Sequence, residues 1–378
     1  RGSFGRLGDP IEQLGNVLSA TLSRESQIVL ELSGGVESTA LAIALHYRGL
    51  HKNVMAVTYY DPMRSSSNEV DVAAKVAAAC GLKHETFPLL EQLPFAPTAA
   101  PPLVSRPSMD LCFLAHFDGL MKAGFMGGDI TRVNGHGGDA VFLAPPPFGA
   151  PLDALSKFRV IRAITALRDL AFTYRIPFWL VIHELLRDAS RYLSGYVGQR
   201  ASPSIVPTQT PVPTGLYDDI LCLKSLKLKP ARRCQIATIG ATIEETANYL
   251  NAFGKPEFRP FLSQPMVEWA LRAHPEDFYS GYMNRLPIRQ SAYGVKPLSN
   301  LWRTDKGDTT HSTLLGLLKH KHHVMEVCLE GRCVADGYLE RAEMEKLLRR
   351  AMLGHAVGLP EITRVFSIEM FLRGAPCH

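Results

Sequence analysis

Short apolar runs alternate with amphipathic segments along the first 145 residues. Runs rich in β-branched and aromatic residues, bounded by polar or glycine-containing clusters, predict buried strands. The predicted strands are 28–32, 54–60, 82–89 and 131–135. Apolar residues at helical spacing predict helices between them, with Gly49 and Gly81 as stop signals for the first two. These predicted helices are 38–50, 69–81 and 108–123.

Strands that alternate with helices indicate βαβ units and a parallel sheet. The predicted fold class is therefore α/β, a parallel twisted sheet flanked by helices, followed by a largely helical C-terminal part. Helical spacing of apolar residues recurs in 152–199, 215–228, 240–253, 263–274, 311–329 and 337–353. The proline-rich stretch 144–151 indicates a boundary or a mobile loop. It divides the chain into an α/β region, 1–150, and a mainly helical region, 151–378.

The composition is that of an ordinary globular protein of 378 residues, with 46% apolar and 20% charged residues. The net charge of +5 permits an anionic substrate without requiring nucleic acid. The sequence contains neither a run of 18 uncharged apolar residues nor a signal-peptide pattern, so no membrane span is predicted. Seven scattered cysteines are typical of reduced thiols, and a cytoplasmic location is expected.

Two glycine-rich turns follow predicted strands and carry the candidate chemistry. Ser33, Gly34 and Gly35 come directly after the first strand, and Gly-His-Gly-Gly-Asp at 135–139 follows the fourth. Ligands of parallel sheets bind beyond the carboxyl ends of the strands, where both turns are expected. Unhindered backbone N–H groups at a helix N-terminus attract phosphate. The pattern therefore favours a nucleotide-binding site at the carboxyl-end edge of the predicted sheet.

The side chains after the first turn suit a nucleotide with its metal ion. Ser38 and Thr39 add hydroxyl donors, whereas Glu37 would repel phosphate and is better suited to hold a Mg²⁺ that bridges to it. The alternative is a tight strand–helix turn capped by Ser33, in which Glu37 only favours the helix dipole. The turn has no Walker lysine, so it is not the usual P-loop. The second turn, which also ends in an acid, favours nucleotide binding.

Three separated motifs resemble one known family. SGGVEST at 33–39 resembles the SGGxDS signature of the PP-loop ATP pyrophosphatases. NGHGGDAVF at 134–142 resembles the second signature of the asparagine synthetase C-terminal domain and its relatives, which include β-lactam synthetases and lasso peptide cyclases. The stretches 259–278, 284–294 and RTDKG at 303–307 resemble the end of that domain. In this order the motifs span roughly residues 25 to 310.

The resemblance implies an adenine nucleotide alpha hydrolase-like fold and a two-step reaction with ATP and Mg²⁺. A substrate carboxylate becomes an acyl-adenylate with release of pyrophosphate, and an amine then forms the amide and releases AMP. It implies Glu37 and Asp139 as metal-binding acids, and Lys306 as the lysine that stabilises charge on the reacting groups, assisted by Arg303. The nucleotide-binding residues it implies are Ser33, Gly34, Gly35, Ser38, Thr39, Gly137 and Gly138.

Two positions depart from the usual family pattern. Glu37 stands where the family more often has aspartate. Some lasso cyclases likewise have glutamate at this position. His136 stands where relatives have an acid or a tyrosine, three residues before the second metal acid. The ordinary pKa of histidine, about 6.5, suits a general base for an ammonium nucleophile. The alternative is that His136 only orients its loop.

These observations predict an ATP-dependent, AMP-forming amide ligase, and among such enzymes a macrolactam synthetase of the lasso peptide type. Only about 27 residues precede the predicted strand that leads into the first signature, so we expect no glutaminase ahead of it. The amine is then expected on the substrate or from another protein. The expected partners are a peptide or small-molecule carboxylate and amine, a leader peptidase and a leader-binding protein.

Three alternatives remain at this point. The first is another asparagine-synthetase-like amidotransferase or small-molecule ligase. The second is a tRNA-modifying PP-loop enzyme, which the modest charge disfavours because RNA binding needs a basic face. The third is a catalytically inactive relative that serves as a partner protein, which the presence of Asp139 and Lys306 disfavours.

Overall fold

A four-stranded sheet and the helices around it account for most of the structure. The computed structural model describes residues 7–25, 27–61, 69–89, 92–98, 100–104, 106–193, 228–246, 257–304 and 310–374. The strands are β1 Gln27–Glu31, β2 Val54–Tyr60, β3 Lys83–Pro88 and β4 Ile130–Val133. The first helices are α1 Pro10–Leu22, α2 Val36–Tyr47, α3 Glu69–Cys80, α4 Leu114–Lys122 and α5 Gly138–Val141.

Helices predominate in the chain after α5. They are α6 Ala150–Leu155, α7 Val160–Tyr174, α8 Phe178–Leu193, α9 Pro230–Thr246, α10 Gln264–Arg272, α11 Leu286–Val295, α12 Thr310–Lys319, α13 Lys321–Leu329, α14 Arg332–Ala335, α15 Arg341–Met352 and α16 Leu359–Gly374. A 3₁₀ turn, Ser299–Trp302, follows α11. The predicted class, an α/β fold with a helical C-terminal part, is confirmed.

The sheet places β1 between the strands whose loops carry the candidate chemistry. The strand order is β3-β2-β1-β4, and every neighbouring pair is parallel. Ile28 of β1 pairs with Val54 of β2 on one side and with Thr131 of β4 on the other. Because β1 and β4 are parallel neighbours, their carboxyl ends lie side by side. The turns that follow these two strands therefore meet.

The two faces of the sheet bury different cores. Ile28 and Leu30 of β1 point into a core shared with α1, α2, α10 and α11, while Val29 points into a second core shared with α12 to α16. Successive residues of a strand point to opposite faces. Glu31 therefore lies on the same face as Val29, at the end of the strand.

The predicted strands are confirmed to within about two residues at each end. The helix predicted at 38–50 begins at Val36 and ends at Tyr47, and Gly49 follows with a positive φ of 72°. The helix predicted at 108–123 is divided into a 3₁₀ turn, Met109–Cys112, and α4. The helix at 263–274 is confirmed as α10.

Two predicted helical segments are interrupted. Residues 152–199 do not form one helix, because the backbone takes positive φ angles of 58° at Phe158 and 53° at Arg175. These conformations end α6 and α7. Pro177 has no backbone N–H and so cannot donate the hydrogen bond that would continue α7. The segment 311–329 is divided at His320, which has a non-helical φ of −108° and ψ of 25°.

Other boundaries differ because tertiary contacts set them. The helix predicted at 240–253 already begins at Pro230, where the Asp153 carboxylate accepts hydrogen bonds from the backbone N–H groups of Ala231 and Arg232 at 3.0 and 3.2 Å. The helix predicted at 337–353 begins at Arg341, after Gly337 with a φ of 77°. Helices α1, α5, α11, α14 and α16 were not predicted. The segments 194–199, 215–227 and 247–253 lie outside the described residues.

The first core combines residues from both predicted regions. Phe142 packs against Phe261 and Trp269, with ring centroids 5.9 and 6.0 Å apart. The division of the chain at residue 150 stays a prediction. Among the described residues, no helix has both the length and the apolar character needed to span a membrane.

Candidate active site

The first turn connects β1 to α2 and presents its backbone toward the sheet edge. Gly34 has a positive φ of 74°, and a Cβ built there would lie 2.7 Å from the Cγ1 of Val72. Both the conformation and the close approach therefore require glycine. Gly35 is the N-cap of α2 and is followed by a helix of 12 residues. The turn places the backbone of two glycines at the positive end of a helix dipole, as phosphate sites do.

The hydroxyl groups of this turn are engaged in holding its shape. The Ser38 Oγ accepts from the Ser33 N–H at 3.3 Å, and the Ser33 Oγ accepts from the Gly35 N–H at 3.3 Å. Thr39 is fully buried, and its Oγ1 accepts from Asn300 Nδ2 at 2.8 Å. The predicted contacts of Ser33, Ser38 and Thr39 with pyrophosphate stay predictions.

The second turn folds back against the first. The Asn134 Oδ1 accepts a hydrogen bond from the His136 N–H at 3.0 Å, and Gly137 has a positive φ of 89°. A Cβ at Gly135 would lie 2.6 Å from Glu37 Cβ, and one at Gly138 would lie 2.5 Å from Glu37 Cγ. Glycine at both positions therefore lets the second turn approach the acid of the first.

Arg285 brings the two predicted metal acids together. Its Nε contacts Glu37 Oε1 and its Nη2 contacts Asp139 Oδ1. The side chains of Arg285 and Glu37 are 13% and 9% exposed, whereas that of Asp139 is 51% exposed. Two carboxylates from different turns thus converge on a single cationic group. No local pattern singles out Arg285, which lies within the third motif but had no assigned role.

The same pair of acids fits a divalent cation. Glu37 Oε1 is buried, and among the described residues no group donates it an aligned hydrogen bond, so its contact with Arg285 is an ion pair. Mg²⁺ in nucleotide sites is commonly held by one or two carboxylates together with phosphate oxygens and water. Glu37 and Asp139 supply such a pair at the predicted phosphate loop, which comprises residues 33–39.

The segment between residues 284 and 304 contacts the first turn through Asn300, and Arg289 holds the end of this segment in place. Asn300 Nδ2 donates to the Gly34 carbonyl oxygen at 3.0 Å. The Arg289 guanidinium is buried and donates to the carbonyl oxygens of Leu301 and Asn284, the latter at 2.7 Å, and burial lowers its pKa to about 10. Arg289 Nη1 also donates to the Arg303 carbonyl oxygen at 3.3 Å. Arg303 is thereby fixed next to the phosphate loop.

The candidate residues line two neighbouring cavities. The smaller, about 130 Å³, is lined by Gly34, Gly35, Glu37, Arg285, Asn300 and Arg303. The larger, about 580 Å³, is lined by Ser33, Glu37, Tyr59, His136, Gly137 and Asp139. Glu37 lines both cavities and so lies where they meet. The structure thus brings most of the predicted site residues to these walls; Thr39 and Gly138 line neither of the two cavities, and Lys306 lies outside the described residues.

A buried ionic network supports the second turn from the far face of the sheet. Arg132 pairs with Glu31 and, at 2.9 Å, with Glu257, while the Tyr59 hydroxyl donates to Glu31 at 2.9 Å. Burial raises the pKa of Glu31, but the charge of Arg132 and its hydrogen bond outweigh burial and lower it. The second carboxylate oxygen of Glu31 accepts from Asn134 Nδ2 at 3.4 Å.

A parallel α/β sheet whose first strand leads into a glycine-rich turn and a helix, with a second glycine-rich turn that ends in an acid beside it, is consistent with the PP-loop class of proteins. The asparagine synthase family model matches residues 12–373, and the chain belongs to that family. Membership indicates an ATP-dependent ligase that forms a carbon–nitrogen bond and releases AMP. A comparison with curated proteins finds no match for the chain.

Proposed function

We propose that the protein activates a peptide carboxylate with ATP and closes an amide bond within the same peptide, as a lasso-type macrolactam synthetase. The observation that carries the proposal is the convergence of Glu37 and Asp139 beside the phosphate loop, with His136 on the wall of the larger cavity. Two features support a macrolactam product. Some lasso cyclases also have glutamate at the position of Glu37, and the larger cavity, of about 580 Å³, is within the range of ligand sites.

In the first step, a carboxylate oxygen attacks the α-phosphorus of ATP and the bond to the β-phosphate oxygen breaks. The glycine-rich turn at 33–35 binds the departing pyrophosphate, with the Gly35 N–H exchanging the Ser33 hydroxyl for a phosphate oxygen, and Arg303 offsets the charge of the pyrophosphate. Bound Mg²⁺ would be held by Glu37 and Asp139 and would neutralise phosphate charge. The products of this step are an acyl-adenylate and pyrophosphate.

In the second step, the substrate amine attacks the acyl carbon, the bond to the phosphate oxygen of AMP breaks, and the nitrogen releases a proton to water as the amide forms. The nucleophile must be a neutral amine, so its ammonium form has to lose a proton first. The exposed imidazole of His136 lies on the cavity wall and accepts this proton. Lys306 stabilises the negative charge that develops on the acyl oxygen.

The first experiment identifies the nucleotide products. Purified protein is incubated with ATP, Mg²⁺ and candidate precursor peptides, and AMP, ADP and pyrophosphate are separated by chromatography. We expect AMP and pyrophosphate in equal amounts and a peptide product lighter by one water in mass spectrometry. Release of ADP would contradict the proposal.

Parallel incubations separate the alternatives. A product in which the peptide or a small acid gains a free amine would favour the small-molecule ligase or amidotransferase. Pyrophosphate release that depends on added tRNA would favour the tRNA-modifying enzyme. Asp139→Asn should abolish AMP formation, whereas the surface variant Arg272→Gln, whose side chain is 70% exposed, should retain it.

A further inference from the structure

Arg285 occupies the position between the two predicted metal acids. Its guanidinium contacts one oxygen of Glu37 and one of Asp139, and its own side chain is largely buried. Two carboxylates held this close repel each other unless a cation lies between them. A divalent cation held between the two carboxylates would lie where the guanidinium lies now, so the two cations compete for this position.

The backbone of Arg285 is held firmly in an unfavourable conformation. Its φ of 54° and ψ of 30° lie in the left-handed region, which costs energy for any residue except glycine. The neighbouring Leu286 N–H donates to the Phe278 carbonyl oxygen at 2.9 Å, and the Arg285 carbonyl oxygen accepts from the Arg289 N–H at 3.1 Å. Such conformations cluster at functional sites. Movement at this residue is therefore confined to its long side chain.

The side chain has a second anionic destination within reach. Arg285 lines the smaller cavity together with Gly34, Gly35 and Arg303, which is where the phosphate loop would hold a polyphosphate. Guanidinium groups bind phosphate oxygens through two parallel hydrogen bonds. The contact with Glu37 is an ion pair without an aligned hydrogen bond. Moving the guanidinium from Glu37 to a phosphate therefore breaks no aligned hydrogen bond to Glu37.

We propose that Arg285 is an exchangeable counter-ion that competes with a divalent cation for Glu37 and Asp139. The protein then binds the metal tightly only when the guanidinium of Arg285 has moved from the two carboxylates to the nucleotide phosphates. Metal and nucleotide are thereby coupled, and binding of either one strengthens the other. The inference rests on the proposed nucleotide chemistry of this site, but it concerns binding and not turnover.

The first test measures metal binding without nucleotide. Mn²⁺ is titrated into the full chain and followed by electron paramagnetic resonance, in which the free ion gives the signal. We expect Arg285→Gln to bind one Mn²⁺ at least about tenfold more tightly than the unaltered protein, because the competing charge is gone. The matched control Arg272→Gln removes a surface arginine that pairs with Glu268 and should bind Mn²⁺ as the unaltered protein does. Equal Mn²⁺ affinity in Arg285→Gln and the unaltered protein would overturn the proposal.

The second test measures nucleotide binding without metal. The probe is α,β-methylene ATP, which cannot be split between its α- and β-phosphates, and binding is followed by calorimetry. We expect Arg285→Gln to lose about tenfold in affinity and Arg285→Lys, which keeps the charge, to lose less. An unchanged affinity in Arg285→Gln would contradict the transfer of the guanidinium to phosphate.

A third measurement does not depend on any variant folding. In the unaltered protein, saturating α,β-methylene ATP should increase Mn²⁺ affinity by about tenfold or more, after correction for Mn²⁺ bound by free nucleotide. The same Mn²⁺ affinity with and without nucleotide would overturn the coupling. Should incubation with ATP yield ADP while these binding results hold, the proposed function fails and the counter-ion role of Arg285 stands.

Discussion

At the scale of single residues, two glycines decide how closely the acids of the site approach. Gly135 and Gly138 leave space that a Cβ would take from Glu37, at 2.6 and 2.5 Å from its side-chain carbons. Contacts under 3.0 Å force one group to move, and here the group is the side chain of a predicted metal ligand. The positions of these glycines are therefore part of the chemistry of the site.

The role of His136 is testable by separating the two steps. In His136→Ala we expect pyrophosphate–ATP exchange, which reports the first step, to stay within about twofold of the unaltered protein. Amide formation should fall by about 10²-fold or more, because positioned proton transfer typically contributes that much. Rates are compared by exchange of labelled pyrophosphate and by mass spectrometry of the peptide product.

The control for this substitution is His355→Ala, which removes an exposed histidine between α15 and α16. Both rates should be unchanged in that variant. If His136→Ala makes amide at the normal rate, then His136 only orients its loop, as the alternative interpretation holds.

At the scale of elements, side chains from distant segments set where helices begin. The start of α9 is capped by Asp153, which is 2% exposed and accepts from two backbone N–H groups of the helix. Burial raises the pKa of Asp153 to about 6, against the lowering effect of these hydrogen bonds. The folded protein therefore holds the carboxyl proton of Asp153 more tightly than the unfolded chain does, in which the pKa of this group is near 3.8.

This raised pKa predicts a pH dependence of stability. The contribution of Asp153 to the free energy of unfolding is largest below about pH 4 and decreases as the pH rises to about 6, by on the order of 3 kcal/mol. Asp153→Asn cannot titrate, so its free energy of unfolding should vary less between pH 4 and pH 6. Urea unfolding at each pH measures this slope.

The control replaces an exposed carboxylate of α10, Glu268→Gln, whose side chain is 46% exposed. Its slope should match that of the unaltered protein, because an exposed carboxyl group gains little from folding. A slope in Asp153→Asn equal to the unaltered one would show that burial of Asp153 does not hold the proton.

At the scale of the whole molecule, the site is assembled from three segments that are far apart in the chain. The sheet brings the turns after β1 and β4 together, and the 3₁₀ turn Ser299–Trp302 closes the site from the C-terminal part. Asn300 joins this turn to the phosphate loop by donating to Gly34 and to Thr39. The same segment leads directly into Arg303.

Removing the donor at Asn300 should loosen the phosphate loop. In Asn300→Asp the side chain keeps its shape but presents an oxygen to the Gly34 carbonyl oxygen, which repels it. We expect α,β-methylene ATP to bind about tenfold more weakly and the free energy of unfolding to fall by about 1–3 kcal/mol. Calorimetry and urea unfolding measure the two effects.

Asn16→Asp provides the matched control for the same chemical change. Asn16 accepts a hydrogen bond from Arg48 through its Oδ1, which an aspartate retains. Its nucleotide affinity should be unchanged. If Asn300→Asp binds the nucleotide analogue as tightly as Asn16→Asp does, Asn300 does not support the phosphate loop.

Local patterns in the sequence predicted much of the α/β region. The strands were found because β-branched and apolar runs are bounded by glycine and polar residues, and the first turn because Gly34 and Gly35 follow such a run directly. The boundaries of α9 and the interruptions near Phe158 and Arg175 were not predicted. They depend on contacts with distant residues or on backbone conformations that no local apolar spacing encodes.

The sequence by itself determined the two glycine-rich turns, the acids Glu37 and Asp139, and the parallel α/β class, because periodicity and turn chemistry act over a few neighbouring residues. Only the tertiary structure decided that Arg285 lies between those acids and that Asn300 bonds to the phosphate loop. These partners are separated by well over a hundred residues along the chain, and their contact depends on the strand order of the sheet and on how α11 packs against α2. Pairing over such distances is a property of packing, which no short stretch of sequence contains.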